Sequence, residues 1–450
     1  MNQTATEAHV QRALQFAKNN TATGMDGCPY ELWKALHKCH LKKSKINQTS
    51  FDINRTLTRV FQDIQTHDIE KDAGFAIGWM CPIYKKKERT ETSNYCPITL
   101  LNTDYKLLTK VLAHQLIDNI ETMVHSDQSG FIPKWSIYNN IRLAKTIIKY
   151  TELTSEDGAI VTLDQEKAYD KIRHDYLWTT LERFHVPLTF IRTVKALYSH
   201  AYTHVAINGD LSQPFKITRG VRQGDPLSCA LFNLAIEPLA YTLRNDQSLD
   251  GITVPGIEDK IIVSMFAYDT NLYLGKNDRM EQVQRILDNW CCASGAKFNQ
   301  EKTEIIPLGS KAHRTQIITT RKIHPLDPTP LDDRVRIAKD GDAVRSLGAW
   351  IGNKTNLKTP WEPVIDIIHK ALKRWERFKP TMIGRKLIVQ AVIGGLTQFL
   401  TKAQGMPPEI EDTLTKIARD FMWKGHIVQS KLLALLVPPT CTSGHKNGTT

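Results

Sequence analysis

Asp164 closes the run GAIVTLD, and Asp269 lies in the turn of IIVSMFAYDTNLYLG, about 100 residues further along the chain. The first segment is continuously apolar and ends on a carboxylate, as a strand buried on both faces would. The second reads as two short strands around a tight turn, residues 261–275. Neighbouring strands of one sheet bring such ends together, and converging carboxylates bind divalent metal. Two metals held this way activate a hydroxyl nucleophile and clamp a transferring phosphoryl group. Isolated aspartates in turns are also ordinary caps and turn formers, so spacing alone leaves both readings open.

The surrounding sequence supplies the elements that must carry these residues. Residues 203–218 read as paired strands around Asn208-Gly209, a hairpin turn signal, and lead straight into TRGVRQGDP. Asp225 and Pro226 look like the cap and first turn of a helix through LSCALFNLAIEPLAYTL, kinked at Pro238. Upstream, an apolar segment from Phe75 precedes the basic run Lys85, Lys86, Lys87, then NYCPITLLN and the helical pattern LLTKVLAHQLIDNI. Gly24–Pro29 forms a turn before the helical YELWKALHKC, and another helix begins near His174. Past Lys354, Ile365, Ile368, Leu372 and Trp375 recur at helical spacing, and 387–400 is apolar, which predicts a separate helical lobe. Lys370, Lys373, Arg374, Arg377, Lys379, Arg385 and Lys386 crowd this lobe, either as a phosphate-binding face or as a solvated one. The expected division is 1–74 as an N-terminal helical extension, 75–355 as the core, 356–428 as the helical lobe and 429–450 as an irregular tail.

Composition bounds the rest. A chain of 450 residues is too long for one ordinary domain. Hydrophobic residues at 41%, charged residues at 24% and a mean hydropathy of −0.34 exclude general disorder, collagen-like repeats and a multispanning membrane protein. A net charge of +12 and a pI near 9.2 point to a polyanionic partner. The eight cysteines form no CxxC pair, which favours a reducing compartment over a secreted disulfide scaffold. The opening MNQTATEAHV lacks a basic segment and an apolar core, so an intracellular, unsecreted protein without a membrane anchor is expected. His37, Cys39 and His40 lack a second ligand pair and read as helix surface.

Four words in fixed order, VTLDQEKAYDKI (161–172), GVRQGDPLS (220–228), FAYDTNLYL (266–274) and SGAKFNQEKTE (294–304), closely resemble the reverse transcriptase of non-LTR (LINE-type) retrotransposons. The resemblance extends through NYCPITLLNTDYKLLTKVLAHQL, DQSGFIPKWSIYNNIRLA, RSLGAWIGNK and the region of Trp361, Trp375 and Trp423, and so covers nearly the whole chain. It implies an α+β right-hand polymerase with fingers, an antiparallel-sheet palm and a helical thumb. The implied activity is RNA-directed DNA polymerisation by two-metal nucleotidyl transfer, with Mg²⁺ or Mn²⁺. The implied partners are an RNA template, a DNA primer and deoxynucleoside triphosphates, with no obligate protein partner, and the implied location is the nucleus.

Carried over residue by residue, the family pattern makes Asp164 and Asp269 metal ligands, the Gln165 carbonyl a helper, and Tyr169 the aromatic gate beneath the incoming sugar. Lys302 matches the lysine that protonates leaving pyrophosphate. Gln223, with Gly224 beside it, contacts the incoming nucleotide, and Lys85 and Arg222 meet phosphates. Leu347 and Gly348 match the turn that holds the primer end. The competing readings are a core tyrosine, a pre-helix turn, solvent-exposed lysines and a plain hairpin, and Asp170 reads as a helix-start or ion-pairing carboxylate.

The sequence departs from its family at functional positions. Tyr268 stands where FADD has its first aspartate, Cys96 where NYRPI has its arginine, and Trp135 where GFxPxRSI has its arginine. A neutral phenol cannot replace a carboxylate toward a hard cation, and a thiol supplies neither the charge nor the donor fork of arginine. The family's GGL near the end is replaced by TCTSGHKNGTT, which resembles a truncation or frame shift. An enzyme by descent, inactive in this copy, is therefore expected, with a non-catalytic nucleic-acid-binding remnant as the alternative. A group II intron maturase fits the FAxD and SGAKFN context less well, and a viral RNA polymerase would show Gly-Asp-Asp and no tyrosine gate.

Overall fold

A computed structural model describes residues 4–70, 73–256 and 259–423. The expected tail at 429–450 lies outside the described residues. The described residues form two compact units, one within 4–140 and 151–337, the other within 141–150 and 338–423.

The first unit carries strands β1 (Ile77–Tyr84), β2 (Tyr95–Leu101), β3 (Gly158–Leu163), β4 (Tyr202–Ile207) and β5 (Asp210–Leu211). It continues with β6 (Phe215–Lys216), β7 (Val263–Phe266), β8 (Asp269–Gly275), β9 (Glu304–Leu308) and β10 (Arg336–Ile337). One sheet runs β10-β9-β3-β8-β7, and its four longer strands are antiparallel. The apolar run GAIVTL is its central strand, nearly all buried because sheet neighbours and helices cover it. Its register pairs Leu163 with Thr270, so the residues one step beyond, Asp164 and Asp269, leave adjacent strands at the same end. The other sheet runs β2-β1-β4-β5 with β6 beside β4. Its predicted hairpin turns at Asn208 and Gly209, both with positive φ, the geometry that matches the twist of two-residue hairpins.

Three helices, Glu7–Phe16, Tyr30–Ser44 and Ile53–His67, precede β1, with Thr6 and Asp52 accepting hydrogen bonds from His9 and Arg55 backbone N–H as N-caps. Their apolar faces, through Val10, Leu14, Leu57 and Phe61, enter the same core as Leu107, Leu108 and Leu112 of the helix Thr103–Ile117. The N-terminal segment is thus packed into the first unit. The helix after the RQGDP loop begins at Ser228 and continues past Pro238 to Asn245. Asp225 does not cap that helix. Its carboxylate accepts from Leu227 N–H at 2.9 Å and from the Tyr105 hydroxyl at 2.9 Å, bracing the preceding turn.

In the second unit, β11 (Val344–Ser346) and β12 (Ala349–Ile351) form a hairpin. Helices follow at Glu362–Glu376, Met382–Val389, Gly395–Gln404 and Pro408–Trp423, with a π turn at Gln390–Gly394 joining the middle two. Trp361, Ile368, Leu372, Leu414 and Phe421 pack the core of this unit. Trp375, expected on the apolar face, is 45% exposed, because Ile368 and Leu372 already fill the buried stripe. Among the described residues no helix is long and apolar enough to cross a membrane.

Candidate active site

The β7–β8 hairpin turns through Ala267 and Tyr268, with Phe266 paired to Asp269. The left-handed residue is Ala267, at φ 56°, and Tyr268 is not among the residues with positive φ. The backbone strain of this turn therefore falls on Ala267 and not on Tyr268. Tyr268 projects from the turn 39% exposed, and its ring meets Tyr169 edge to face at 6.3 Å between centroids. Burial, then the charges of Asp269 and Asp164, push its phenol further above the ordinary range, so it is a neutral hydroxyl at any physiological pH.

Asp164 follows β3, and its Oδ2 accepts from Lys302 Nζ at 2.9 Å. Lys302 sits at the end of a short 3₁₀ turn, Gln300–Lys302, held by the Asn299 side chain. Asn299 N–H in turn donates to the Asp164 carbonyl at 2.8 Å, which binds the two segments at backbone level as well. Asp269 is half-buried. Burial and then the neighbouring Asp164 charge push its carboxyl up to about 6, against the pull of Lys302. Two like charges converge here with one lysine to offset them.

That donor set does not fit a pair of hard dications. A two-metal clamp needs carboxylates enough for both ions, and here Asp164 is already paired while the third acidic position is a phenol. Among the described residues no group of three His, Cys, Asp or Glu side chains is arranged to hold a metal.

Tyr169 lies in the short helix Ala168–Lys171 and stacks on Phe232, with centroids 4.8 Å apart and planes 11° from parallel. Burial and the adjacent Cys229 thiol raise its phenol pKa well above normal. Gln223 is tied at both ends of its amide. Its Nε2 donates to Asp170 Oδ1 at 3.1 Å, and its Oε1 accepts from the Cys96 thiol at 3.4 Å. Asp170 lies in the first turn of the helix Ala168–Lys171, as the helix-start reading expects, and is also the partner of Gln223. Burial raises its pKa, opposed by Gln223 and by the charges of Lys167 and Lys85. Lys85 is exposed beyond β1.

Arg222, expected to meet phosphates, faces inward instead. Its side chain is buried, donates through Nη1 to the Ala76 carbonyl at 2.6 Å, and lies over the Tyr105 ring at 5.4 Å. It joins β1 to the RQGDP loop and offers no face to a nucleotide phosphate. The glycines of that loop also serve the chain itself. A Cβ on Gly224, at φ 109°, would lie 2.3 Å from the Thr99 carbonyl, where the loop crosses β2. Gly220 is pressed in the same way against Tyr169 and Asp170. Both glycines make room for neighbouring backbone, where the sequence pattern suggests room for a ligand.

Leu347 and Gly348 form the turn of the β11–β12 hairpin in the second unit, both left-handed, at φ 52° and 81°. Leucine is sterically disfavoured there, which marks the turn as constrained. The Gly348 position faces Phe399, 3.1 Å from where a Cβ would be. Trp135 is 42% exposed. Of the basic residues assigned to the helical lobe, Lys370, Lys373, Arg374, Arg377 and Lys379 are exposed, but Arg385 is buried and donates to the Phe421 carbonyl. It is a core residue and not a phosphate contact.

Residues that sequence reasoning missed surround the hairpin: Phe232 under the tyrosine, Asp170 on Gln223, and the polar row Gln128, Ser129, Asn140 and Asn233, each at most 5% exposed. The signal for the row was the run DQSG, too polar for the interior it enters.

The reverse transcriptase (RNA-dependent DNA polymerase) family matches residues 83–329, more than half of the chain. The uncharacterized 149 kDa protein of transposon TX1 from Xenopus laevis is 26% identical over 92% of this chain and 30% of its own length. The Pol polyprotein of the type-1 retrotransposable element R2 from Popillia japonica is 28% identical over 51% of this chain and 32% of its own. The corresponding R2DM polyprotein of Drosophila melanogaster is 27% identical over 46% of this chain and 19% of its own. The chain therefore spans about a third or less of these relatives. Apo telomerase from Candida tropicalis, truncated from the C-terminal domain, aligns over 63% of this chain and 56% of its own at 13% identity, with a TM-score of 0.40. With its palm-like antiparallel sheet and ordered motifs, the chain has the α+β right-hand polymerase fold and belongs to the reverse transcriptase (RNA-dependent DNA polymerase) family, as a domain of the non-LTR, LINE type.

Proposed function

We propose that this chain descends from the RNA-directed DNA polymerase of a LINE-type element and has lost nucleotidyl transfer through the exchange of aspartate for Tyr268. The observation that carries the reading is the donor set at the strand ends: Asp164 paired with Lys302, Asp269 pushed up to about 6, and a neutral ring where a third carboxylate belongs. Reverse transcriptases as a family use divalent cations such as Mg²⁺ or Mn²⁺. The residues here supply too little negative charge to hold two such ions.

The remaining parts keep roles that need no metal. Tyr169, fixed flat on Phe232, is a rigid wall on which a ribose 2′-hydroxyl would clash while a deoxyribose would fit. Gln223 orients toward the nucleotide through its anchor on Asp170, and Lys85 adds positive charge on that side. Cys96 gives this pocket a weak thiol donor in place of a cation, so triphosphate affinity falls. The partners proposed are an RNA template, a DNA primer and deoxynucleoside triphosphates, in the nucleus, with Leu347 and Gly348 at the primer end. The proposed parts are fingers and palm within 75–355 and a thumb in the helical lobe.

Manganese titration of the protein bound to primer, template and nucleotide tests the reading. Tyr268→Asp is expected to tighten Mn²⁺ binding by about tenfold or more, the equivalent of at least 1.4 kcal/mol. Equal affinity in the two proteins would overturn it. The non-catalytic reading, a basic remnant that still binds nucleic acid, is favoured by the exposed cations of the helical lobe and predicts salt-sensitive binding without synthesis.

A further inference from the structure

The catalytic-type hairpin is not held by its own turn chemistry. Ala267 is left-handed without the freedom of glycine, and the turn has only the Phe266–Asp269 pair to close it. What holds it is the segment Asp127–Gly130, which lies along the edge of β7. Met265 N–H donates to the Asp127 carbonyl at 2.7 Å, and Ser129 N–H to the Met265 carbonyl at 2.9 Å. Gln128, 1% exposed, then reaches the turn itself. Its Oε1 accepts from Ala267 N–H at 2.8 Å and from Gly130 N–H at 2.9 Å, and its Nε2 donates to the Ala267 carbonyl at 3.1 Å.

We infer that Gln128 is a positioning residue for the catalytic hairpin, which fixes the turn at Ala267 and so sets where residues 268 and 269 stand relative to Asp164. This rests on the reading of the hairpin as the polymerase site.

Three features argue that the amide, and not mere filling of space, does this. Both N–H and C=O of the strained residue are satisfied by one planar side-chain amide, whose oxygen accepts and whose nitrogen donates side by side, and Asn would fall a methylene short. The segment is itself braced: Asn233 Nδ2 donates to the Gly130 carbonyl at 2.6 Å, Asn140 Nδ2 to the Met265 carbonyl at 3.0 Å, and Ser129 Oγ to Asn140 Oδ1 at 2.6 Å. Gly130 leaves no slack, since a Cβ there would lie 2.2 Å from Ala267 N. A second anchor stands behind it, where Arg244 bridges Asp127 at 3.2 Å and Glu237 at 2.5 Å. The Gln128 amide is paired at both its oxygen and its nitrogen, and a buried amide so paired holds one arrangement, because each alternative leaves a donor or acceptor unmatched.

Gln128→Met keeps the volume and removes all three hydrogen bonds. Hydrogen exchange read on peptides covering 263–275 is expected to be about tenfold faster in the variant than in the natural chain, while β3 and the helix Ser228–Asn245 keep their protection. Unchanged exchange in the hairpin would overturn the inference. If Gln128→Met loses protection throughout the chain, Gln128→Asn, which keeps an amide in the site but falls short of the turn, is read in the same way. In the Tyr268→Asp background, Gln128→Met is expected to lower the rate of nucleotide addition by about tenfold or more with the nucleotide KM unchanged, since a displaced hairpin costs transition-state stabilisation rather than binding. A raised KM with an unchanged rate would place Gln128 in nucleotide binding and overturn the inference. If Tyr268→Asp makes no DNA, the reading of the site fails on its own, and the exchange measurement still decides whether Gln128 holds the turn.

Discussion

A phenol and a carboxylate at position 268 differ in charge as well as in size, and on the proposed reading that difference decides the chemistry of the site. Asp269 already bears the consequence of crowding, with its carboxyl pushed up to about 6 by burial and by Asp164. Its folded pKa lies above the roughly 3.9 of an unfolded aspartate, so its favourable contribution is complete below that value and is lost as pH rises through about 6. Asp269→Asn should therefore raise stability at pH 7.5 by on the order of 1–3 kcal/mol in the absence of divalent cations, and the gain should vanish by about pH 4. Denaturant unfolding at the two pH values measures it; an equal gain at both would show that Asp269 is not held against its charge. Residue types at the site were legible because Asp164, Tyr169, Gln223 and Asp269 sit in ordered words. Their partners were not, since nothing in a linear sequence shows that Gln223 meets Asp170 or that Lys302 meets Asp164.

Elements carry the site by crossing one another closely, and the RQGDP loop is the clearest case. Its backbone lies on β2 through Thr99 N–H to the Gln223 carbonyl, 2.9 Å, and Arg222 fastens it to β1 through the Ala76 carbonyl. Arg222→Met is accordingly expected to cost stability, about 2–4 kcal/mol, because it strands buried acceptors and leaves Asp225 without its nearby cation. In an active background the nucleotide KM should not move. A raised KM with normal stability would return Arg222 to the nucleotide site. Gly224→Ala should unfold the loop from β2, at a cost of about 1–3 kcal/mol, since it combines a left-handed backbone with a carbonyl 2.3 Å from the new carbon. Thermal unfolding reads this directly. β3 was legible as an apolar run and the two hairpins as turn words, whereas β2 and β9 were not read as strands. The start of the helix at Ser228 was not, because the Asp225 carboxylate is engaged in the turn before it. Burial of Arg222 and Arg385 was equally hidden, as each guanidinium donates to a carbonyl distant in sequence.

At the scale of the whole molecule, an excess of 12 positive charges and a set of exposed lysines and arginines on the helix Glu362–Glu376 and the residues after it suit a phosphate backbone. Binding to a primer–template duplex should weaken steeply with salt, and replacing Lys373 and Arg377 by alanine should lower the slope of log K against log salt by about 1 for each phosphate no longer neutralised. An unchanged slope would mean a solvated face. The fold class followed from motif order, while the boundary between the units did not, because residues 338–355 belong with the helical unit through β12 packed beside the helix Gly395–Gln404. Chain position and composition do not report that packing. We propose that a polymerase scaffold persists here around a site silenced at Tyr268. Primer extension on an RNA template with Mg²⁺ or Mn²⁺ tests it most directly, with the natural chain beside Tyr268→Asp and Tyr268→Asp with Cys96→Arg. No extension is expected from the natural chain, DNA synthesis from the first variant, and more at low nucleotide concentration from the second. Extension by the natural chain at the rate of the variants would contradict it.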